Sequence, residues 1–242
     1  MDKFDETLNQ LKDSSGGMKP NLHILNEIVP IEVQMKYFQY SKHVQSDKQH
    51  TSLDRNYLIA KLFTPDLDVE DRRYYLSVLA GIIDVAAYRA IETYHSSPLE
   101  PELADWSAMA LIESKVLLDA ELSGEKQFFV STGLGGHDGM LRFFAVIASA
   151  NRDDFTILQQ EILLRELRFA FEQHKIEPED ITVKGNYVKI LLLCGLDYDA
   201  RIIIENAIKE CNELGNFVDS RFILTNIKKL DDSDIESMLE KK

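Results

Sequence analysis

The spacing of apolar residues along the chain changes near Gly124. Before that point they recur every three or four residues, the repeat of one helix face; beyond it, alternating or unbroken apolar runs are separated by turn residues, as in strands. Phe4, Leu8 and Leu11 share a helix face over residues 2–13, and Ser14-Ser15-Gly16-Gly17 ends it, which predicts an N-terminal arm and linker over 1–19. Leu22, Ile28, Val29, Val33, Tyr37 and Phe38 predict a helical segment over 20–40, followed by a polar loop over 41–52. Four further helices follow. One carries Leu58, Leu62 and Phe63 and stops before Pro65; the next runs from Val69 to Gly81 with Asp68 as N-cap; Asp84 caps a third; Pro101 opens a fourth that continues through Trp106 and Leu117.

Past Gly124 the pattern predicts a strand over 127–132, a glycine-rich loop from Gly133 to Gly139, and a strand over 141–149. A long helix starts at Asn151 or Asp153, and Gly185-Asn186 marks a hairpin between strands over 181–184 and 187–194. Asp197 or Asp199 caps another helix that Gly215 closes, a strand covers 221–228, and Ser233 with Glu236 forms a capping box for a C-terminal helix. The fold class is α+β: an all-helical domain over 20–124, then a ferredoxin-like βαββαβ domain over 125–242 with an extra leading strand.

The stretch from 55 to 122 resembles HEAT or armadillo repeats, because Pro65 with Pro98 and Asp71 with Asp105 recur at an offset of about 33 residues. Arg72 fits the arginine common in a first HEAT helix, while its counterpart one period on is Trp106. The resemblance implies stacked helix pairs that bind other proteins along one face; a plain bundle is the other reading of the same helices. In the second part, Phe143 to Ala148 and Ile190 to Leu193 are unbroken apolar runs, so both faces of the sheet must be covered. Either the helical part covers the second face or another subunit does, as in ACT-like domains that pair through their sheets and bind small ligands.

Charge narrows the partners. The formal net charge is −14, with acidic residues in excess in both parts, so no basic stripe is available for phosphates or anionic lipid. The RNA-recognition motif shares the βαββαβ order, and Phe143, Phe144 and Tyr187 supply aromatics on its inner strands, but Lys184-Gly185-Asn186-Tyr187 departs from its signature. Cys194 and Cys211 form no CxxC pair, the start lacks a signal peptide, and no apolar run is long enough for a membrane span; the expected location is cytoplasmic.

Candidate chemistry concentrates in Gly133-Leu134-Gly135-Gly136-His137-Asp138-Gly139. Backbone amides of Gly133, Gly135 and Gly136 are suited to cradle an anion, with His137 and Asp138 beside them, yet a strand rather than a helix follows the loop. Asp66 to Asp71 lacks the glycine and bidentate glutamate of a calcium loop and suits a helix N-terminus instead. His43 and His50 lack the spacing of helix-borne metal ligands, and His23, His95 and His174 are scattered. The sequence thus predicts no catalytic residues, metal or cofactor. It predicts a non-enzymatic protein that binds a protein partner or forms a homo-oligomer, without nucleic acid or membrane; a ligand-sensing module using the glycine loop is the alternative, and an enzyme the third.

Overall fold

The computed structural model describes residues 21–46 and 54–240, which form two compact units, Met1–Ser131 and Thr132–Lys242. The sequence-predicted arm over 1–19 and residues 47–52 of the polar loop lie outside the described residues. The protein is α+β.

In the first unit the order is β1 (Asn21–Ile24), α1 (Ile31–Ser46), α2 (Arg55–Leu62), α3 (Val69–Ala80), α4 (Val85–Ser96), a 3-10 turn at Pro101–Leu103, α5 (Ala104–Ser123) and β2 (Gln127–Val130). Asp54, Asp68 and Asp84 each accept backbone N–H groups of the first turn that follows, which starts α2, α3 and α4 where their carboxylates also face the positive end of the helix dipole. Gly124 takes φ +66° and stops α5. Arg72 is fully buried: it donates to the carbonyls of Leu62 (2.6 Å) and Thr64 (3.1 Å), and its Nε lies 2.8 Å from Glu100 Oε2.

Two segments differ from expectation. Residues 21–24 are a strand rather than the start of a helix, and 127–130 pairs with them in parallel instead of leading the second sheet. A four-residue strand is too short to display a period, so Leu22 was indistinguishable from the helical positions after it. Helix α1 continues to Ser46 and places His43 in its last turn, where loop was expected.

The second unit contains β3 (Gly136–His137), β4 (Met140–Ser149), α6 (Ile157–Gln173), β5 (Glu177–Lys184), β6 (Tyr187–Gly195), α7 (Ala200–Glu213), β7 (Val218–Thr225) and α8 (Asp232–Glu240). Its antiparallel sheet runs β5-β6-β4, with β3 and β7 sharing the other edge of β4. One face buries Ala145, Ile147, Val188, Ile190 and Leu192 against α6 and α7. The opposite face buries Phe144, Val146, Ala148, Tyr187 and Leu191 against Leu134, Leu230 and Ile235. Both faces are therefore covered, as the unbroken apolar runs require, and the second cover comes from the unit's own C-terminal segment.

Local start and stop residues shift by a few positions. Thr156 with Gln159 forms the capping box of α6, in place of Asn151 or Asp153. Asn216, at φ +49°, takes the left-handed position after α7 that was expected of Gly215; asparagine tolerates it because its short polar side chain bonds locally. Asp231, not Ser233, caps α8 by accepting from the Asp234 amide at 2.7 Å.

Candidate functional site

At one end of the second unit's sheet lies a cleft of about 470 Å³, lined by Asn151, Arg152, Asn186, Tyr187, Arg221 and the α8 residues Glu236, Leu239 and Glu240. Its floor is built from three strand ends that are distant in sequence. The pairing of β4 with β7 slips a register after Ile147, and the chain then turns through Ala150 to Asp154. The Ser149 amide donates to the Asn186 carbonyl, the Ala150 amide to the Phe217 carbonyl, and Asn186 Nδ2 to the Arg152 carbonyl at 3.0 Å. Arg152 itself sits at φ +66°. Gly185 closes the β5–β6 hairpin at φ +57°, a backbone conformation that favours glycine, and a Cβ there would lie 2.8 Å from Asp154 Oδ1 and displace that side chain.

Two bases that line the cleft, Arg152 and Arg221, share one acid, Asp219. Arg152 donates to Asp219 Oδ2 at 2.7 Å and Arg221 to the same oxygen at 3.2 Å. Partial burial pushes the Asp219 carboxyl up, but hydrogen bonds from Arg221, with the charge of Arg152, outweigh it and hold its pKa below the ordinary carboxylate range. Asp219 is 10% exposed whereas the Arg221 side chain is 70% exposed, so one guanidinium faces solvent at the cleft mouth.

The wall formed by α8 is fastened to the sheet by Asp232. Its carboxylate accepts from Tyr187 Oη at 2.9 Å, from Lys189 Nζ at 3.1 Å and from Lys184 Nζ. Those three donors, Lys184 first, hold its pKa far below the usual range. Burial, reinforced by Asp232, raises the Tyr187 phenol, which stays neutral and donating.

The glycine loop is elsewhere. Gly136 and His137 pair with Leu141 and Met140, and Asp138 (φ +48°) and Gly139 (φ +77°) form the two-residue turn between them, the positive-φ pair that suits a tight hairpin. His137 and Asp138 are more than half exposed, with Nε2 and Oδ2 3.2 Å apart. Gly135 lies at φ +66°, and a Cβ on Gly133 would fall 1.7 Å from the Ile227 carbonyl oxygen. Backbone geometry accounts for these glycines, and none of the five candidate residues lines the cleft. Among the described residues, no group of three or more His, Cys, Asp or Glu is placed to hold a metal ion.

Of the cleft residues, Tyr187 was legible as an aromatic on an inner strand, whereas Arg152, Asn186 and Arg221 are assembled by topology alone. Gly185-Asn186 was legible as a hairpin and Asn151 as a helix-start candidate; nothing local links either to Arg221.

No family model and no curated protein matches the chain. Among solved structures, it is similar to one described as a transposase of Deinococcus radiodurans R1, at 15% identity and a TM-score of 0.37, over 43% of this chain and 92% of that one. It is also similar to a REP-associated tyrosine transposase bound to a REP hairpin, at 16% identity and a TM-score of 0.33, over 40% of this chain and 62% of that one. The expectations of a non-enzymatic, helical-repeat protein for protein–protein interaction and of no nucleic-acid partner are corrected to this extent: both neighbours are described as transposases, and one of them is bound to a REP hairpin. At such TM-scores the likeness carries nothing further to this chain. No helix among the described residues is long and apolar enough to cross a membrane.

Proposed function

We propose that the second unit is a ferredoxin-like module that binds single-stranded nucleic acid at the cleft, with Arg152 and Arg221 reading the phosphate backbone. The observation that carries this reading is the convergence of two guanidinium groups on the single carboxylate of Asp219, in a cleft that also presents Asn151 and Asn186. Guanidinium offers phosphate oxygens a planar fork of donors, and two forks sharing one acid leave one positive charge that Asp219 does not match. Glu236 and Glu240 stand on the opposite wall, on α8.

The formal charge of −14 sets the kind of ligand. Long duplex tracts need many phosphates neutralised at once, which an acidic surface opposes; a short single-stranded segment needs only a few contacts in one place. A reducing, cytoplasmic setting accords with this reading, since Cys194 and Cys211 are buried, free thiols.

The test is fluorescence anisotropy with a short labelled single-stranded oligonucleotide, titrated at two salt concentrations. Arg221→Ala, at an exposed position that leaves the core intact, is expected to weaken binding about tenfold, the worth of one charge-assisted hydrogen bond. The log–log salt slope should shrink by about 0.7 for the lost phosphate contact. Binding by the parent that is indifferent to Arg221→Ala and to Arg152→Ala would sink the assignment.

A further inference from the structure

Resting on that reading, we infer that the sheet face beneath α8 is the base-binding surface of the same site, and that α8 is an acidic strap occupying it. Phe144 and Tyr187 stand on the two central strands, β4 and β6, on the face that α8 covers. Their register places Tyr187 opposite Ala148, four residues along the strand from Phe144, or about 13 Å. Two aromatic rings at that separation on one face of the sheet, flanked by Lys184 and Lys189, have the composition of a stacking platform for single-stranded bases.

The strap occupies that platform with the ligand's own chemistry. Asp232 sits where three donors meet, Tyr187, Lys184 and Lys189, and an oxygen of a backbone phosphate would satisfy the same three. Asp234 likewise takes Lys228 at 2.8 Å. Glu236 and Glu240, farther along the same segment, line the cleft together with Arg152 and Arg221. The strap's apolar hold is small: Leu230 and Ile235 are buried, Leu239 is partly so, and Met238 is about half exposed. A helix of nine residues does not persist in water by itself, so release from the sheet would melt it. Since Glu236, Leu239 and Glu240 are also a wall of the cleft, release would join the cleft to the face.

The experiment compares binding of the same oligonucleotide to full-chain parent, Asp232→Asn and Ile235→Ser, with circular dichroism to establish folding. Both variants loosen the strap and are expected to bind at least fivefold more tightly than the parent. Phe144→Leu, added to either, should abolish the gain. Glu172→Gln removes one exposed carboxylate from α6 and should leave affinity unchanged, which separates strap release from a general change in charge. Variants that fold and bind no more tightly than the parent, while dependence on Arg221 persists, overturn the strap and leave the cleft assignment standing. Absence of binding by the parent and both variants overturns both, whereas binding by the variants alone supports the strap.

Discussion

Arg72 illustrates what one side chain does for the first unit. A guanidinium with essentially no exposure is tolerable only when its charge and donors are matched, and here two carbonyls from the α2–α3 connection and the Glu100 carboxylate do so. Arg72→Ala strands those acceptors and leaves a cavity, so it should lower unfolding stability by about 3 kcal/mol in denaturant titration. A loss under about 1 kcal/mol would contradict the account. The thiols make the opposite case. Burial pushes Cys194 and Cys211 up to about 11, so at neutral pH almost no thiolate exists, and an aromatic disulfide reagent should react with them only after denaturation.

Among the elements, the β3–β4 hairpin and the loop before it make contrasting demands. His137→Ala and Asp138→Asn should each alter stability by no more than about 0.5 kcal/mol, because both side chains face solvent and asparagine accepts positive φ. Gly133→Ala should cost far more, since the backbone of Ile227 occupies the space a Cβ needs. Thermal melts of the three variants would expose a wrong ordering. Elements were legible wherever a carboxylate or a positive-φ glycine punctuates the chain: Asp68, Asp84, Asp199 and Gly185 all act as their types predict. Position was lost where several residues can serve equally, as with Thr156 for Asn151 and Asn216 for Gly215. The need for a second cover on the sheet was readable from β4 and β6; its source was not, because Ile235 and Leu239 identify a helix face without saying what it meets. The cleft was illegible for the same reason: Arg152, Asn186 and Arg221 acquire their meaning from pairing across the sheet.

For the molecule as a whole, the titratable groups define the pH range over which it holds together. Glu179 is lowered by the hydrogen bond from Arg142, and Asp219 and Asp232 by the donors described above. A carboxyl depressed on folding contributes stability above its unfolded value, near 4, that is lost as pH falls through the folded value. Tyr37 is raised well above its ordinary value, first by burial and then by Glu113, and Tyr187 is raised as well. A raised phenol contributes stability below about pH 10 that disappears as pH climbs through the folded value. Melting temperature should therefore be flat between about pH 5 and 9 and fall on both sides. A maximum near pH 4.9, where the formal charge vanishes, would count against this.

The parallel pairing of β1 with β2 also has a consequence for how the chain is made. His23 and Gln127 meet at a sequence separation of 104, whereas α2 to α5 contact neighbours close by in sequence. Closing so long a loop is entropically expensive and gains only a four-residue ladder, so it should follow the helices rather than lead them. During synthesis the helices can assemble as they emerge from the ribosome, at about 5–20 residues per second, while β1 waits several seconds for a partner not yet translated. A nascent chain arrested before β2 clears the exit tunnel should thus carry packed helices beside an unpaired strand edge, the species most prone to chaperone capture or self-association.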